Sequence, residues 1–404
     1  MADTRPSTRP SLGFLARAHK FAFYATILYV VVVVLLAHPF IQRHVSYQHA
    51  ITEPWHTTFD VPERYGLAPG KTLNLNLTTS DNVTLGAWFI LADPFYQQRR
   101  RSHPSPYLSS QPSLSTVEEA INAGPTILYF HGAAGSRSTT WRIQHYIAWS
   151  ARMQANIFAI DYRGFGDSAG IPSEPGLAID AYTAWNWLMD HGAGPQDVLI
   201  IGHSLGTGVA SKLGSQLARE DVKPRGIVLI APFSSVSALI ETYDLFGVPL
   251  LQPLQNFALG RKLIKRLARE AYDTLSVIRE FNVPTLIAHS TSDMEVPHSH
   301  SRTLLDHLLG PLLPPEVPLP LEPGKPISHE RFTAFTEAQA KRKEARTALV
   351  RKVEVPAFGT MEEFDGVYGR VVYVETSWGA HSKVGLQEGV QDAISSTFRL
   401  GGNL

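Results

Sequence analysis

The five residues Gly202-His203-Ser204-Leu205-Gly206 follow directly on the apolar stretch at 198–201. They fit the pattern G-x-S-x-G between a predicted strand and a predicted helix, the setting in which this pattern forms a nucleophile elbow. Gly202 and Gly206 are expected, because a serine in so tight a turn needs neighbours without side chains. The turn lifts the Ser204 hydroxyl clear of the sheet, and the predicted helix at about 204–219 points its first amides toward it. The motif therefore predicts an α/β architecture with a nucleophilic serine.

A nucleophilic serine needs a histidine base and an acid that orients the base, expected here in the chain order serine, acid, histidine. Asp293 lies just past the apolar run at 283–288, which predicts a strand. His381 lies in the loop after a strand predicted at 371–375. We expect His381 to accept the Ser204 proton and return it to the leaving alcohol, while Asp293 fixes the tautomer of the histidine.

Other residues compete for these two roles. Glu295 is a second acid beside Asp293, and a solvated loop carboxylate is the alternative interpretation of Asp293 itself. Three more histidines are candidates for the base in place of His381, namely His289, His298 and His300. All three sit beside the acid in sequence, too early for the expected chain order, so we interpret them as surface or packing histidines.

Two backbone amides are expected to stabilise the negative oxygen that forms during acyl transfer. Leu205, directly after the nucleophile, supplies the first. Ala133 is predicted to supply the second, from the loop at 131–136 that follows a buried strand at 126–130. Small residues in that loop let the backbone approach a substrate. The alternative interpretation of the loop is a plain strand-to-helix turn.

The uncharged apolar segment at 21–37 spans about 25 Å as a helix, close to the thickness of a bilayer core. Four basic residues precede the segment, namely Arg5, Arg9, Arg17 and Lys20, whereas Arg43 is the nearest after it. This bias predicts that residues 1–20 form a cytosolic tail and that the following domain crosses the membrane. The alternative is a cleaved signal peptide, which we disfavour because no small-x-small site follows the segment.

Several short motifs resemble those of one known family. They are the string Gly202-His203-Ser204-Leu205-Gly206-Thr207-Gly208-Val209-Ala210, the pair His131-Gly132 and the run Asp161-Tyr162-Arg163-Gly164, together with one N-terminal anchor. In these the chain resembles the membrane-anchored α/β-hydrolase-domain lipases that act on lysophosphatidylserine and monoacylglycerol, over about residues 70–300 and 370–400.

The resemblance implies an α/β-hydrolase fold, with a mostly parallel central sheet flanked by helices, a small lid and one preceding transmembrane helix. It implies Ser204 as nucleophile, Asp293 as acid and His381 as base, which agrees with the roles inferred from the residues. It also implies a catalytic domain that faces the lumen of the endoplasmic reticulum.

Residues 38–69 are predicted as a linker and 70–404 as one hydrolase domain. Within this domain the sequence predicts an exposed loop insertion near 98–124 and a lid segment near 235–275. Asp293 and His381 are 88 positions apart, where on the order of thirty suffice for a helix and a strand. An insertion near 310–366 is therefore expected, proline-rich and then helical, and a lid, a docking arm and a disordered excursion all remain open for it.

The predicted lid ends in the stretch 259–269, where apolar and basic residues fall on different faces of a helix. The apolar residues of that face are Leu259, Leu263, Ile264 and Leu267. A basic amphipathic helix beside an anchored domain is suited to anionic lipid headgroups. An ordinary surface helix packed against the core is the equally supported alternative.

Composition limits the remaining classes. Lys plus Arg equals Asp plus Glu, 36 against 36, so no overall field indicates nucleic acid as a partner. The chain has no cysteine, which excludes disulfides and thiolate metal sites, and we predict neither a metal nor an organic cofactor. The sequons at Asn76 and Asn82 predict N-glycosylation on a lumenal face.

The sequence therefore predicts a serine hydrolase that cleaves acyl esters of monoacylglycerols or lysophospholipids through an acyl-enzyme. Its expected partners are a lipid ester and the membrane, and the sequence names no protein partner. Two alternatives stay open: a peptidase or thioesterase on the same triad, and a catalytically inert, membrane-tethered interaction protein.

Overall fold

The computed structural model describes residues 12–51, 57–103, 110–242, 251–268, 270–318 and 328–401. Within these ranges the strands are β1 (Thr72–Thr78), β2 (Thr84–Ile90), β3 (Thr126–Phe130), β4 (Asn156–Ile160), β5 (Val198–His203), β6 (Gly226–Ile230), β7 (Thr285–Ser290), β8 (Arg351–Val355), β9 (Gly359–Gly366) and β10 (Gly369–Thr376). Arg5 and Arg9 of the predicted tail, residues 243–250 of the predicted lid and 319–327 of the predicted insertion lie outside the described residues.

The α-helices of the same ranges are α1 (Leu12–Ala37), α2 (Pro39–Tyr47), α3 (Asp93–Arg101), α4 (Leu114–Ala123), α5 (Thr140–Arg152), α6 (Glu174–Asp190), α7 (Leu205–Arg219), α8 (Val236–Thr242), α9 (Gln252–Gln255), α10 (Ala258–Leu267), α11 (Thr274–Val277), α12 (Ser299–Leu309), α13 (His329–Leu349) and α14 (Glu388–Phe398). The helices α7 and α13 lie where the sequence predicts them. The helices α3 and α4 occupy the stretch near 98–124 that the sequence predicts as a loop, and the Ser113 side chain caps α4 by accepting from the Thr116 amide.

All ten strands form one sheet in the order β1-β2-β4-β3-β5-β6-β7-β10-β9-β8. Six strands that are neighbours in this order are parallel, namely β4-β3-β5-β6-β7-β10. The other strands pair antiparallel at the two edges of the sheet. The chain adds β4 on one side of β3 and then crosses over to place β5 on the other. The loops after β3 and β5 therefore diverge, which opens the crevice where α/β sheets bind ligands.

The central strands are buried on both faces, as parallel strands between two layers of helices are. In β5, Ile200 belongs to one apolar core, while its neighbours Leu199 and Ile201 belong to the other. The same alternation in β3 puts Leu128 in the first core and Tyr129 in the second. The mostly parallel sheet flanked by helices confirms the predicted fold class.

The N-terminal helix α1 is longer than the apolar segment predicted at 21–37. Its 26 residues span about 39 Å, and Gly13–Ala37 is long and apolar enough to cross a membrane. The next helix, α2, does not behave as the linker predicted for 38–69. Tyr47 at its end is fully buried, and its hydroxyl lies 3.0 Å from that of Tyr272. This contact ties the start of the supposed linker to the hydrolase core.

The region predicted as an insertion at 310–366 contributes α13 and the strands β8 and β9. No residue of α13 is buried, yet Arg346 on this helix lies 3.3 Å from Glu362 of β9. Strand β9 pairs antiparallel with β10 and so extends the sheet, with β8 as its edge. The described part of this region is thus a helix fixed to an enlarged sheet edge.

Candidate active site

Ser204 stands at the sharp turn between β5 and α7. Its backbone has φ 51° and ψ −120°, a conformation that is costly for a residue with a side chain. Two hydrogen bonds fix the turn. The Ser204 amide donates to the Ile230 carbonyl over 3.0 Å, and the Thr207 amide donates to the Ser204 carbonyl over 2.8 Å. The strained turn holds this partly exposed serine at the carboxyl edge of the sheet.

The two glycines of the turn leave no room for a side chain. A Cβ atom on Gly202 would lie 2.3 Å from the Gly206 carbonyl oxygen, and one on Gly206 would lie 2.0 Å from the Phe130 carbonyl oxygen. Both obstacles are backbone atoms, which cannot rotate aside as a side chain can. Gly202 is therefore required by the first turn of α7, and Gly206 by the close approach of the end of β3 to that turn.

Asp293 and His381 meet although they are far apart in the chain. Asp293 follows β7 and His381 follows β10, and these two strands are parallel neighbours, with Ser290 opposite Thr376 at their ends. Their carboxyl ends consequently bring both loops to the same edge of the sheet as Ser204. Asp293 Oδ2 lies 2.7 Å from His381 Nδ1, and both side chains are buried.

The Asp293 carboxylate is held by several further donors. Its Oδ1 accepts the amides of Glu295 at 2.8 Å and Val296 at 2.9 Å, and His289 Nε2 lies 3.1 Å from Oδ2. Glu295 itself lies 3.9 Å from His381 Nε2 with a mostly exposed carboxylate. Between the two acids, Asp293 is the one that is buried, hydrogen-bonded and directed at Nδ1.

The pKa values of the pair follow from burial and from mutual attraction. Burial alone would lower the pKa of His381, but the hydrogen bond and charge of Asp293 outweigh burial and raise it above its ordinary 6.5. Burial would likewise raise the pKa of Asp293, yet the hydrogen bonds from His289 and His381 hold it well below its usual range. The arrangement pairs an ionised acid with a histidine that is a stronger base than usual.

His203 links the serine turn to the histidine loop. Its Nε2 lies 3.0 Å from the His381 carbonyl oxygen, and the two rings are 5.1 Å apart. Burial lowers the pKa of His203 well below 6.5, which keeps the ring neutral and able to donate to that carbonyl. Within the part of the chain that the structure describes, no hydrogen bond joins the Ser204 hydroxyl to His381. The contact between His203 and the His381 carbonyl joins their two loops at the edge where the strands place them.

The loop after β3 approaches Ser204 closely. A Cβ atom on Gly132 would lie 3.2 Å from Ser204 Cβ. The next amides are already engaged, since Ala134 N–H donates to the Tyr47 carbonyl at 2.9 Å and Gly135 N–H to the Ile51 carbonyl at 2.8 Å. No described backbone acceptor pairs with the Ala133 amide. The amide of Leu205 opens α7, where a helix has no carbonyl of its own to satisfy it.

A buried arginine fixes the same loop from the other side. The fully buried guanidinium of Arg142, on α5, donates to the carbonyls of Gly132 at 3.0 Å, Ala133 at 3.3 Å, Ala134 at 2.7 Å and Ser136 at 2.7 Å. All of its described hydrogen-bond partners are carbonyl oxygens. Arg142 thereby gathers these carbonyls around one guanidinium and holds the loop in one shape.

The remaining candidate residues are placed as follows. The competing histidines have structural partners: His289 contacts Ser301 at 2.6 Å and His300 contacts Ser234 at 2.9 Å, while His298 precedes α12. Asn76 and Asn82 are both exposed on the β1–β2 hairpin. Sequence reasoning missed Tyr47 and Arg142, because neither a lone tyrosine in a supposed linker nor an arginine on an amphipathic helix carries a motif.

Comparison with known proteins identifies a family and several relatives. Residues 127–366, more than half of the chain, match the alpha/beta hydrolase family. The chain is 31% identical over 287 residues to the lysophosphatidylserine lipase ABHD12 of Xenopus tropicalis, which covers 70% of each protein. It is 31% identical over 294 residues to ABHD12 of Bos taurus, covering 72% of this chain and 70% of that one. A solved α/β hydrolase from Vibrio vulnificus, 16% identical, covers 81% of each chain with a TM-score of 0.47.

Proposed function

This chain belongs to the alpha/beta hydrolase family, and on that premise we propose that it cleaves the acyl ester of lysophospholipids or monoacylglycerols with Ser204, Asp293 and His381. As a member of the family it is a serine hydrolase of lipid esters. One observation carries the proposed triad. The 2.7 Å contact between His381 and Asp293 lies at the same sheet edge as the strained Ser204 turn.

The proposed reaction has two halves. His381 Nε2 removes the Ser204 proton while the serine oxygen attacks the ester carbonyl, and the Ala133 and Leu205 amides stabilise the resulting oxyanion. Collapse of the tetrahedral intermediate breaks the bond to the leaving alcohol, which takes the proton from His381. Water then attacks the acyl-enzyme with His381 as base again, and this step releases the fatty acid and restores the serine.

Two exposed apolar side chains beside the pair support a lipid substrate. Met294, next to Asp293, is 93% exposed, and Trp378, three residues before His381, is 67% exposed. Large apolar groups at the rim of a polar site favour ligands or surfaces that are apolar themselves. The printed names of the relatives, which describe lysophosphatidylserine lipases, support the lysophospholipid headgroup within this class.

The test measures fatty acid release from lysophosphatidylserine, other lysophospholipids, monoacylglycerol, short-chain esters and peptide amides. Wild type is compared with Ser204→Ala, and Ser396→Ala on the exposed face of α14 serves as the matched control. We expect one lipid ester to be turned over by wild type and by Ser396→Ala and not by Ser204→Ala. Cleavage of the peptide amides without cleavage of the lipid esters contradicts the proposed substrate and supports the peptidase alternative. Absence of all turnover in the folded protein supports the inert tethered protein instead.

We also propose that α1 is a single-pass anchor and that the catalytic domain faces the endoplasmic reticulum lumen. The exposed sequons at Asn76 and Asn82 support this placement. Protease added to sealed microsomes should spare the domain. Thr78→Ala and Thr84→Ala each remove one sequon. They keep the asparagine at position 82, where the backbone is left-handed with φ 62°. Each should remove one endoglycosidase-sensitive step in electrophoretic mobility, whereas digestion of the domain without detergent would contradict the orientation.

A further inference from the structure

The helix α10, in the segment between β6 and β7, leaves a stripe of apolar side chains in solvent. Leu259, Leu263 and Leu267 recur every four residues and are 79%, 46% and 38% exposed, and Phe257 just before the helix is 69% exposed. The sequence alone allows these residues to pack against the core. In the structure none of them packs against the two apolar cores, so at least a third of each side chain stays exposed to solvent.

One flank of the stripe shows how the helix is seated. A Cβ atom on Gly260 would lie 2.0 Å from the Leu254 carbonyl oxygen of α9, and Ile264, one turn later, is half-buried. At 3.6 residues per turn, Gly260 and Ile264 lie on the flank of the stripe that faces the protein. Lys262 and Arg266 lie on the other flank of the stripe. Both cations are exposed. An apolar stripe edged by cations is the pattern of a helix that lies in a membrane interface.

The position of α10 relative to α1 supplies a second, independent observation. The side-chain amide of Gln42, on α2, donates to the carbonyl of Leu267 at 3.0 Å and to the carbonyl of Ala37 at 3.4 Å. These carbonyls belong to the last residues of α10 and of α1. One amide group therefore joins the C-terminal ends of the two helices, and α10 ends at the level where the membrane-spanning candidate α1 ends.

We infer that α10 lies on the bilayer that holds α1, with its leucine stripe among the acyl chains and its cations at anionic phospholipid headgroups. Continuity with α1 identifies the occupant of the stripe as this bilayer, and the charge of Lys262 and Arg266 selects its anionic lipids. The inference rests on the proposed membrane-anchored lipid hydrolase and adds a docking surface to it. It places α10, on the crevice side of the sheet, against the membrane that contains the substrate.

The absence of cysteine from the chain permits a direct test with one environment-sensitive dye. The full-length protein carries the dye on Leu259→Cys and is reconstituted in phosphatidylcholine vesicles with about one third phosphatidylserine. We expect blue-shifted emission and strong quenching by lipids that bear a spin label near the headgroup. Val367→Cys is the matched control, since Val367 is an apolar residue 62% exposed in the β9–β10 turn at the opposite edge of the sheet. Emission from Leu259→Cys as unshifted and unquenched as that from Val367→Cys overturns the inference.

Charge reversal tests the role of the cations. Lys262→Glu with Arg266→Glu should raise KM several-fold for a lipid ester presented in anionic vesicles and leave turnover of a short soluble ester unchanged. Loss of turnover toward both substrates, or no change toward either, contradicts the assigned role of the cations. The dye and the ester assays also separate the two proposals. A quenched dye on a protein that hydrolyses no ester supports the docking surface and rejects the proposed function, while an active protein with an unquenched dye does the reverse.

Discussion

The carboxylate of Glu295 reaches His381 on the side of the ring away from Asp293, with its Oε2 3.9 Å from His381 Nε2. Asp293 meets the other nitrogen, Nδ1, at 2.7 Å. The two acids therefore face the two nitrogens of one imidazole. Only the acid at Nδ1 can fix the tautomer that leaves Nε2 free to accept a proton.

Replacing these acids one at a time should give opposite results. Asp293→Asn should lower kcat/KM on the order of 10⁴-fold, because the asparagine stabilises the wrong tautomer and does not stabilise the imidazolium. Glu295→Gln should change kcat/KM little, since its carboxylate is mostly exposed and screened by water. Steady-state kinetics on one ester decide between them. A large loss in Glu295→Gln with activity retained in Asp293→Asn would transfer the acid role to Glu295.

The pH profile of kcat/KM should report His381. The pKa of His381 is raised above 6.5 by Asp293, and the protonated ring cannot accept the Ser204 proton. Activity should therefore fall about tenfold per pH unit below a midpoint that lies above 6.5. In Asp293→Asn the carboxylate charge is lost while burial remains, so the residual activity should have its midpoint at lower pH. A wild-type midpoint below 6.5 contradicts the pairing.

Arg142 should act as a positioning residue for the loop that carries the Ala133 amide. Arg142→Met should lower kcat on the order of 10²-fold with a smaller effect on KM, because the loop would no longer hold that amide at the oxyanion. It should also reduce stability, by about 1–3 kcal/mol for each buried carbonyl left unpaired. Arg152→Met on the same helix is the control. The described ion pairs of Arg152, with Glu388 and Asp392, lie at the surface. Equal kcat in the two variants, with both folded, would rule out the positioning role.

Gly206 should tolerate no side chain. Gly206→Ala puts a Cβ atom 2.0 Å from the Phe130 carbonyl oxygen, so we expect a loss of at least about 3 kcal/mol of stability. Gly124→Ala is the matched control, because its Cβ atom would have no neighbour closer than 4.0 Å. That change should shift stability by less than about 0.5 kcal/mol. Thermal unfolding of the two variants beside wild type measures the difference, and similar melting temperatures would contradict the close approach.

The central sheet could be predicted because its strands are apolar runs followed by polar loops. The runs before Ser204, Asp293 and His381 correspond to β5, β7 and β10, and parallel strands deliver their C-terminal loops to one edge. The helix of the insertion, at 329–349, was predictable for another reason. Its stretch has no proline and is rich in charged residues and alanine, which favour a helix.

Other features depend on contacts that no local pattern records. Tyr47 reaches Tyr272 across 225 positions, so the stretch that contains it resembles a linker until the fold is known. Likewise, β8 and β9 pair with the sheet edge through backbone hydrogen bonds that are independent of side-chain type. Arg142 is an ordinary helix residue in sequence, and only the fold surrounds it with carbonyl oxygens.

The hydrogen bonds from Ala134 to Tyr47 and from Gly135 to Ile51 bear on where the chain can be cut without loosening the loop after β3. A protease that cut between residues 47 and 51 would separate the Tyr47 acceptor from the retained chain, and the loop would keep the Ile51 acceptor and the Arg142 contacts. Such a cut would yield a fragment without α1 and with a less firmly held loop. The segment that follows α1 is thus part of the scaffold of the candidate site and not a dispensable tether.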